Sequence, residues 1–352
     1  MLYPLKFKPL FKDYVWGGRN LASLGKALPE KGIVAESWEV ACHKNGTSVV
    51  ANGAYEGTCL PDMITKFGRR LIGASVYQTD FSKFPFLVKF IDANNNLSVQ
   101  VHPDDTFAFF NENGESGKNE MWYIISAKPG AKIVYDVVPG TTREDFAAAI
   151  MLNDVERCLN FIEVFPGDII NIPAGMVHSI GKGIMLAEIQ QNSDLTYRVY
   201  DFGRTGRELH IEKALKVIDF NLIGRKSKYT GIELSISNNC TKRIAVANRH
   251  FCAEVYSICG KINEITDGNK FVIYVFTAGN GSIFWDGGEL TVNVGESILI
   301  PAALGKYTLS GEFTALKTYK PNLSEDVLHP LRMAGISEKI IYSEIAGLEG
   351  ST

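Results

Sequence analysis

The chain has 352 residues, of which 45% are apolar and 21% charged, so it is long enough for two or three domains that each bury a core. A net charge of −3 provides no basic field for nucleic acid, and no apolar run approaches the roughly 20 residues of a membrane helix. Prolines and lysines interrupt the first ten residues where a signal peptide has its apolar core, which predicts a cytoplasmic protein. The six cysteines form no CxxC pair, so we expect reduced thiols.

Short strands dominate the first part of the chain. Alternating apolar and polar residues predict strands over residues 35–40, 48–50, 86–91, 97–102, 120–125, 131–137, 161–164, 168–172, 185–191 and 197–201. Helical spacing predicts short helices over residues 21–28, 60–72 and 104–113, and helical segments at about 141–157 and 209–220. The basic, turn-rich residues 224–230 place a domain boundary, so the first domain is predicted to span residues 1–225.

The second part of the chain, predicted as a domain over residues 226–320, is again a series of strands. They are predicted over residues 243–247, 251–258, 271–278, 281–285, 289–294 and 297–300. Many short strands separated by glycine and proline indicate a sandwich or barrel and argue against a parallel βαβ fold. Residues 321–352 are predicted to form a C-terminal tail.

An internal repeat relates the two parts. The segment from Val164 to His178 resembles the segment from Val292 to Lys306, with two prolines, Pro173 and Pro301, in matching places. Upstream, residues 121–127 resemble residues 273–279. We therefore expect two related β units, with a helical insertion in the first. Because lysine replaces histidine at the end of the second copy, only the first unit is predicted to hold a metal.

The strand Leu97-Ser98-Val99-Gln100-Val101-His102-Pro103 is the first place where the sequence indicates chemistry. Successive strand side chains point to opposite faces, so Gln100 and His102 lie on one face and can reach a single ion. Pro103 cannot continue a ladder and places His102 at the end of the strand. Taken alone, a strand histidine is more often structural than a ligand, so this pattern needs support from elsewhere in the chain.

That support comes from the run Pro166-Gly-Asp-x-x-x-Ile-Pro-Ala-Gly-x-x-His178, which resembles the second signature of the cupins, a double-stranded β-helix (jelly-roll) family. Glu120 starts a strand where the first cupin signature has its carboxylate. Gln100, His102, Glu120 and His178 together offer two nitrogens and two oxygens, a set that suits one zinc ion, with iron or manganese as alternatives. Each residue alone has an ordinary structural explanation, and only the joint occurrence favours a metal site.

Longer motifs give a more specific resemblance. They are Ala35-Glu-Ser-Trp38, Ser48-Val-Val-Ala-Asn52, Gln100-Val-His-Pro103, Lys118-Asn-Glu-Met-Trp-Tyr123 and Gln191-Asn-Ser-Asp-Leu-Thr-Tyr-Arg198-Val-Tyr-Asp-Phe-Gly-Arg204. In this order they resemble type I phosphomannose isomerases, over most of residues 1–225. The resemblance implies a zinc-dependent aldose–ketose isomerase that interconverts mannose 6-phosphate and fructose 6-phosphate through an enediol. One departure is Asn119, where many members have proline.

The resemblance also implies roles for individual residues. Zinc would be held by the four ligands above, Arg198 and Lys118 would be catalytic, and Ser98, Lys89 and Asp194 would bind the substrate. A guanidinium with a pKa above about 12 is a poor base, so Arg198 is assigned to electrostatic stabilisation and substrate positioning. The proton carrier stays open between Lys118, a metal-bound water and a carboxylate such as Asp194 or Glu188.

Several alternatives stay open at this point. Spacing alone favours surface ion pairs of Arg198 and Arg204 with Asp194 and Asp201. An iron-dependent cupin oxygenase would have three histidines more often than a glutamine. A non-catalytic sugar-binding cupin would tolerate the loss of ligands, yet all four are present. The sequence leaves open whether the protein is a monomer or a homodimer.

Overall fold

The computed structural model describes residues 2–80 and 84–348, and in this part of the chain antiparallel strands dominate. The strands β1 to β22 are Leu5–Lys8, Leu10–Lys12, Glu36–Val40, Cys42–His43, Gly46–Thr47, Val49–Val50, Phe86–Ala93, Val99–Val101, Glu120–Ala127, Lys132–Val137, Leu159–Glu163, Ile169–Ile172, His178–Ile180, Ile184–Gln191, Tyr197–Tyr200, Ile232–Ser237, Cys240–Ala247, Cys252–Ile265, Val272–Trp285, Gly288–Asn293, Ser297–Ile300 and Lys306–Tyr319. The predicted mainly β fold is confirmed.

Helices are short and lie around the sheets. The α-helices α1 to α8 are Leu60–Phe67, Arg69–Ile72, Ala74–Asp80, Asp105–Asn111, Arg143–Met151, Ile211–Val217, His329–Met333 and Glu338–Glu344. Single turns of 3₁₀-helix cover Asn20–Leu24, Gly53–Tyr55, Val155–Cys158 and Phe220–Leu222, and Leu323–Leu328 is a π-helical turn. Among the described helices, none combines the length and the apolar character that a membrane crossing requires.

The first β unit consists of two sheets that face each other. One has the strand order β11-β10-β13-β8-β15 and the other the order β12-β9-β14-β7-β3-β2. Their inward side chains form a common apolar core, represented by Ile133 and Ile180 from the first sheet and by Trp122 and Leu186 from the second. Alternate residues of each strand therefore point into a closed jelly-roll interior.

The predicted helical insertion lies between β10 and β11. Its helix α5 begins with a capping box in which the Thr142 side chain accepts from the Asp145 N–H and the Asp145 carboxylate accepts from the Thr142 N–H. Phe146 and Ala149 of this helix are buried against the outer face of the five-stranded sheet, beside Val134 and Val199. The insertion thus covers the sheet without entering the barrel.

The second β unit is built from three strands of 14 residues each, β18, β19 and β22. They belong to a nine-stranded sheet with the order β16-β17-β18-β22-β19-β21-β1-β6, in which β20 pairs with β19. The interior of this unit is rich in aromatic residues, among them Tyr256, Tyr274 and Phe276. Residues from the C-terminal helices, such as Leu331 and Ile341, are buried in the same core.

Strand β1 joins the two units. It is the first strand of the chain, yet it pairs with β21 of the second unit, with Leu5 opposite Leu299. The Lys6 Nζ lies 2.7 Å from Glu296 Oε1 and reinforces the pairing. The largest apolar core of the described residues lies between the units and includes Phe90 from the first and Phe271 from the second. The predicted division between residues 225 and 226 stays a prediction, and β1 crosses it.

Several element boundaries differ from the sequence prediction. The strands predicted over 271–278 and 281–285 are one strand, because the chain passes through a bulge between Phe276 and Ala278 and continues. The helix predicted over 60–72 is split where Gly68 adopts a φ of 47°. Strands β1 and β22 and the helices after residue 322 lie outside the elements that the sequence predicts.

Candidate metal centre and substrate cavity

The four predicted metal ligands converge at one end of the first β unit. Gln100 lies on β8, and His178, the first residue of β13, is directly opposite it in the sheet. Glu120 begins β9 and pairs with Ile172, the residue before the turn that leads to His178. The Gly175 N–H of that turn donates to the His102 carbonyl at 2.9 Å. The turn therefore holds three ligand-bearing segments together.

The distances within this cluster fit a single ion. His102 Nε2 lies 3.2 Å from Glu120 Oε1, and His178 Nε2 lies 3.8 Å from Glu120 Oε2. The ligand atoms of these three buried residues all lie within 4.8 Å of one another. The Gln100 amide reaches the same point, with its Nε2 3.3 Å from His178 Nε2. A half-turn of that amide presents its oxygen instead.

Both histidines are oriented for metal binding by their second ring nitrogen. His102 Nδ1 lies 2.7 Å from the Leu195 carbonyl, and His178 Nδ1 lies 2.9 Å from the Met176 carbonyl. Since a carbonyl only accepts, each Nδ1 donates and each Nε2 keeps its lone pair as an acceptor, which Lys118 Nζ contacts at His102 and Gln100 Nε2 contacts at His178, both at 3.3 Å. Burial and the nearby Lys118 ammonium lower the pKa of His102 to about 3, and burial lowers the pKa of His178. Both rings are neutral at neutral pH.

Glu120 lacks the hydrogen bonds that a buried carboxylate needs. Within the described residues neither oxygen accepts a hydrogen bond of suitable geometry, although the Lys118 Nζ forms an ion pair at 2.6 Å from Oε1. Burial would raise the pKa of Glu120, but Lys118 and His102 outweigh it and hold the pKa well below its usual range. An ionised, incompletely satisfied carboxylate beside two imidazole lone pairs fits a divalent cation, and this N₂O set suits zinc.

A cavity of about 260 Å³ opens beside this cluster. The remaining predicted site residues all line it, together with Gln100: Lys89, Ser98, Lys118, Asp194 and Arg198. A larger cavity of about 610 Å³ lies elsewhere, between α4 and the second unit, and holds none of the predicted site residues. All nine predicted residues therefore lie in one region, and their individual roles stay predictions.

Arg198 is directed at the cavity by two bonds. Its Nε donates to Ser98 Oγ at 3.2 Å and its Nη1 donates to the Glu208 carbonyl at 2.8 Å. Burial and the neighbouring Arg207 lower the pKa of its guanidinium. The ion pair that spacing alone favours is present for Arg204, whose Nη2 donates to Asp201 Oδ1 at 2.6 Å. Arg198 instead lines the cavity.

Lys89 lies between two carboxylates. Its Nζ is 3.3 Å from Glu188 Oε1 and 3.5 Å from Glu36 Oε2. Burial would lower the pKa of Lys89, but the two carboxylates outweigh it and raise it. Burial raises the pKa of Glu188 to about 7, with a contribution from Glu120, and the Trp122 Nε1–H donates to Glu188 Oε2 at 3.0 Å. One ammonium thus serves two carboxyl groups.

Sequence reasoning missed several residues of the cavity wall. They are Tyr14, Glu36, Thr196 and Arg207. Glu36 had a usable signal, since it belongs to an alternating strand that pairs with the strand of Lys89. The others lie in irregular segments, where no period indicates which way a side chain points. Asn45 also helps to fix the position of Asp194 in the cavity wall, because its Nδ2 donates to Asp194 Oδ2 at 2.9 Å.

Comparisons with known proteins agree with this geometry. The family model for the type I phosphomannose isomerase catalytic domain matches residues 4–125, and the model for the mannose-6-phosphate isomerase cupin domain matches residues 241–320. Mannose-6-phosphate isomerase ManA of Bacillus subtilis (strain 168) is 36% identical over 313 residues, 88% of this chain and 96% of that protein. The mannose-6-phosphate isomerase of Streptococcus mutans is 34% identical, covering 91% of this chain and 99% of that protein.

A solved structure extends the similarity to three dimensions. The crystal structure of the mannose 6-phosphate isomerase from Bacillus subtilis matches with a TM-score of 0.81 at 31% identity. The match covers 90% of this chain and 99% of that chain. Similarity therefore extends over both β units and is not confined to the first barrel.

Proposed function

This chain belongs to the type I phosphomannose isomerases, and from that membership we propose how it interconverts mannose 6-phosphate and fructose 6-phosphate. The observation that carries the proposal is the meeting of the His102–Glu120–His178 cluster with Arg198 at one cavity. Relatives named for this activity match most of the chain, which favours it over the iron oxygenase and the sugar-binding protein. The substrate is then a sugar phosphate.

We propose that the metal is zinc, one ion per chain, held by Gln100, His102, Glu120 and His178. Two neutral imidazoles, a carboxylate and an amide oxygen are donors that zinc accepts readily. When bound, the cation supplies a Lewis acid that polarises a sugar oxygen. The chain's own part is to keep both Nε2 lone pairs and the Glu120 carboxylate aimed at one point.

The isomerisation moves one proton between two neighbouring carbons. A base removes the proton from C2 of the open-chain aldose to give an enediol, and the same group returns a proton to C1 to give the ketose. We assign this transfer to Glu188, because its carboxyl group lines the cavity and its pKa of about 7 suits both halves of the transfer. Trp122 holds the carboxyl group in place through its indole N–H.

Negative charge develops on the sugar oxygens in this step. The fixed guanidinium of Arg198 and the ammonium of Lys118 lie on the cavity wall, where they stabilise that charge. Ser98, whose hydroxyl accepts from Arg198 Nε, is placed for the phosphate group, which carries about two negative charges. Lys89 and Asp194 complete the polar wall, and Asp194 is fixed by Asn45.

The first experiment measures turnover of mannose 6-phosphate before and after chelation, with zinc, iron or manganese then restored. We expect chelation to abolish turnover and zinc to restore it. In deuterated water, the product should carry deuterium at the carbon that receives the proton, since an enediol exchanges with solvent. Activity that survives verified metal removal would contradict the metal's role, and recovery only with iron or manganese would replace zinc.

Three broader predictions belong to this proposal. Limited proteolysis tests the domain division at residues 225 and 226. Light scattering decides between a monomer and a homodimer. The cytoplasmic location predicted from the first ten residues is open to fractionation of the cells that make the protein.

A further inference from the structure

The residue between Lys118 and Glu120 uses every hydrogen-bonding group it has. The Asn119 N–H donates to Gln191 Oε1 at 3.0 Å, and its side-chain Nδ2 donates to the same oxygen at 2.6 Å. The Asn119 Oδ1 accepts from the Ala174 N–H at 3.1 Å, and its carbonyl accepts from the Gln191 N–H at 3.1 Å. A proline here would keep only the carbonyl contact.

These bonds join the segments that carry the metal ligands. Ala174 lies in the turn before His178, and the next residue of that turn, Gly175, donates to the His102 carbonyl. Asn119 is covalently attached to Glu120. One amide side chain therefore ties the segment of Glu120 to the turn that positions His178 and contacts His102.

Gln191 is in turn held in place by Asp105. Its Nε2 donates to Asp105 Oδ1 at 2.9 Å, and the same oxygen accepts from the Gly117 N–H at 2.9 Å. The other oxygen of Asp105 lies 3.8 Å from His250 Nδ1 and 3.8 Å from an Arg249 nitrogen, both in the second unit. The network thus runs from the second unit to the residue between Lys118 and Glu120.

We propose that Asn119 and Gln191 are positioning residues that set the geometry of Lys118 and of the metal ligands. The inference rests on the proposed function for its catalytic part, while its metal-binding part stands on the cluster alone. Outer residues that orient metal ligands typically change metal affinity by about 10- to 100-fold when mutated. We expect effects of this size although neither side chain is itself a metal ligand.

The test uses the full chain with Asn119→Ala, Gln191→Met and the double variant. Asn111→Ala is the matched control, because it removes from α4 an exposed amide whose partner within the described part of the chain is the Phe107 carbonyl. Zinc affinity is measured by competition with a chromophoric chelator, and kcat and KM are measured with zinc saturating. Thermal unfolding of each zinc-free protein reports the structural cost.

We expect each single variant to bind zinc about 10- to 100-fold more weakly. The kcat should fall about tenfold, and KM should stay within about twofold. The zinc affinity of the double variant should lie within about threefold of that of the weaker-binding single variant, because both residues act through one network. Zinc affinity and kcat of both single variants within twofold of the control would overturn the proposal.

Two outcomes separate this inference from the proposed function. If the wild-type protein lacks isomerase turnover but the variants still lose zinc affinity, positioning stands and the proposed function fails. If the wild type is active and the variants lose only thermal stability, the network is structural and the inference fails. Should Asn119→Ala not fold, Gln191→Met alone decides, since it leaves the Asn119–Ala174 bond in place.

Discussion

At corresponding positions, the two β units carry charged residues of opposite sign in their interiors. In the first unit, Glu188 on β14 lies opposite Lys89 on β7 and Trp122 on β9. In the second, Lys317 on β22 lies opposite Glu254 on β18 and Tyr274 on β19. The registers correspond because Ile172 pairs with Glu120 as Ile300 pairs with Val272. The internal repeat therefore extends to positions where the residues have diverged.

Three of the four predicted metal ligands are replaced in the second unit by residues that do not bind metals. The corresponding registers place Ile265, Val272 and Lys306 where the first unit has Gln100, Glu120 and His178. Instead, Lys317 Nζ donates to Glu264 Oε2 at 2.8 Å and to the Tyr256 hydroxyl at 3.2 Å. Burial would lower the pKa of Lys317, but Tyr256 and Glu264 outweigh it and raise it well above its usual range. This unit supplies its own cation.

Both barrels pair a buried carboxylate with a covalently attached ammonium, but the surroundings of the pair differ. In the second barrel Lys317 donates to Glu264 and to the Tyr256 hydroxyl, so the chain's own groups fill the interior. In the first, Lys118 Nζ lies 2.6 Å from Glu120 Oε1, yet neither Glu120 oxygen accepts a hydrogen bond of suitable geometry among the described residues, and two imidazoles face this carboxylate. These surroundings favour the exchangeable cation that we propose. The comparison teaches that one fold can fill its barrel interior with internal ion pairs or with a metal site.

The largest expected effect comes from placing the second unit's residue in the first. His178→Lys should abolish metal retention and lower turnover on the order of 10³-fold or more, because it removes a ligand and adds a repelling cation where the metal's contribution is several kcal/mol. The reciprocal change, Lys306→His, is the control and should leave turnover within twofold. Bound metal per chain and initial rates measure both. Metal retained by the His178→Lys protein would break the comparison.

Removing the internal cation of the second unit should affect stability and spare catalysis. We expect Lys317→Met to lower the free energy of unfolding by about 3 to 5 kcal/mol, because it leaves the largely buried Glu264 without its cation and leaves Glu254 with Lys242 alone, 3.8 Å away. Denaturant unfolding measures the loss, and the KM and kcat of the folded fraction should not change. A double change of Lys317→Met and Glu264→Gln should recover part of the stability. A loss of turnover without a loss of stability would assign the second barrel to the reaction.

A third prediction concerns a strand that only the first unit has. Arg198 lies on β15, whereas in the second unit the chain turns into helices after β22. Arg198→Lys should lower kcat/KM about 10²-fold, because an ammonium cannot keep both the Ser98 bond and the fixed charge towards the substrate. Steady-state kinetics with mannose 6-phosphate measure this. Arg243→Lys in the second unit is the control, and equal effects of the two changes would contradict the assignment.

The smallest effect is expected at a buried carboxyl group that forms no ion pair within the described residues. Burial raises the pKa of Asp136 to about 6, and one of its oxygens has no partner among the described residues. The folded state therefore binds the proton more tightly than the unfolded state. The stability that this group contributes is fully present below about pH 4 and is lost as the pH rises through about 6.

Asp136→Asn should accordingly stabilise the protein by about 1 to 3 kcal/mol at pH 8 and by progressively less towards pH 4. Asparagine tolerates the φ of 67° and keeps the oxygen that accepts from the Val137 N–H. Unfolding free energies across this pH range measure the gap. Asp286→Asn, an exposed control, should show no such trend, and a gap at Asp136 that is constant with pH would contradict the assignment.

Local patterns in the sequence predict that Gln100, His102 and His178 lie close together, as they do in the structure, while their role as ligands stays a prediction. Period-two alternation placed Gln100 and His102 on one face, and the Pro-Gly and Pro-Ala-Gly turns placed His178, since both signals involve only neighbouring residues. The capping box that begins α5 is likewise local, since Thr142 and Asp145 are three residues apart. For Arg198 and Lys118, the prediction that they share this site came from the family resemblance and not from a periodic pattern in the sequence.

Features that depend on distant pairing were not predictable in this way. The salt bridges of Lys89 with Glu36 and Glu188 connect three strands, and nothing local to any one of them indicates the others. The 14-residue strand β22 contains Gly311 and follows Gly305, which reads as an interruption until the pairing with β18 and β19 is known. The Asn119–Gln191 contact joins residues 72 positions apart.

The pairing of β1 with β21 has a consequence for folding during translation. Lys6 and Glu296 are 290 residues apart, so β1 leaves the ribosome roughly 15 to 60 s before its partner at about 5 to 20 residues per second. During that interval β1 can pair with β6, but its other edge has no partner strand. The first barrel can therefore dock onto its neighbour through this strand only when translation is almost complete.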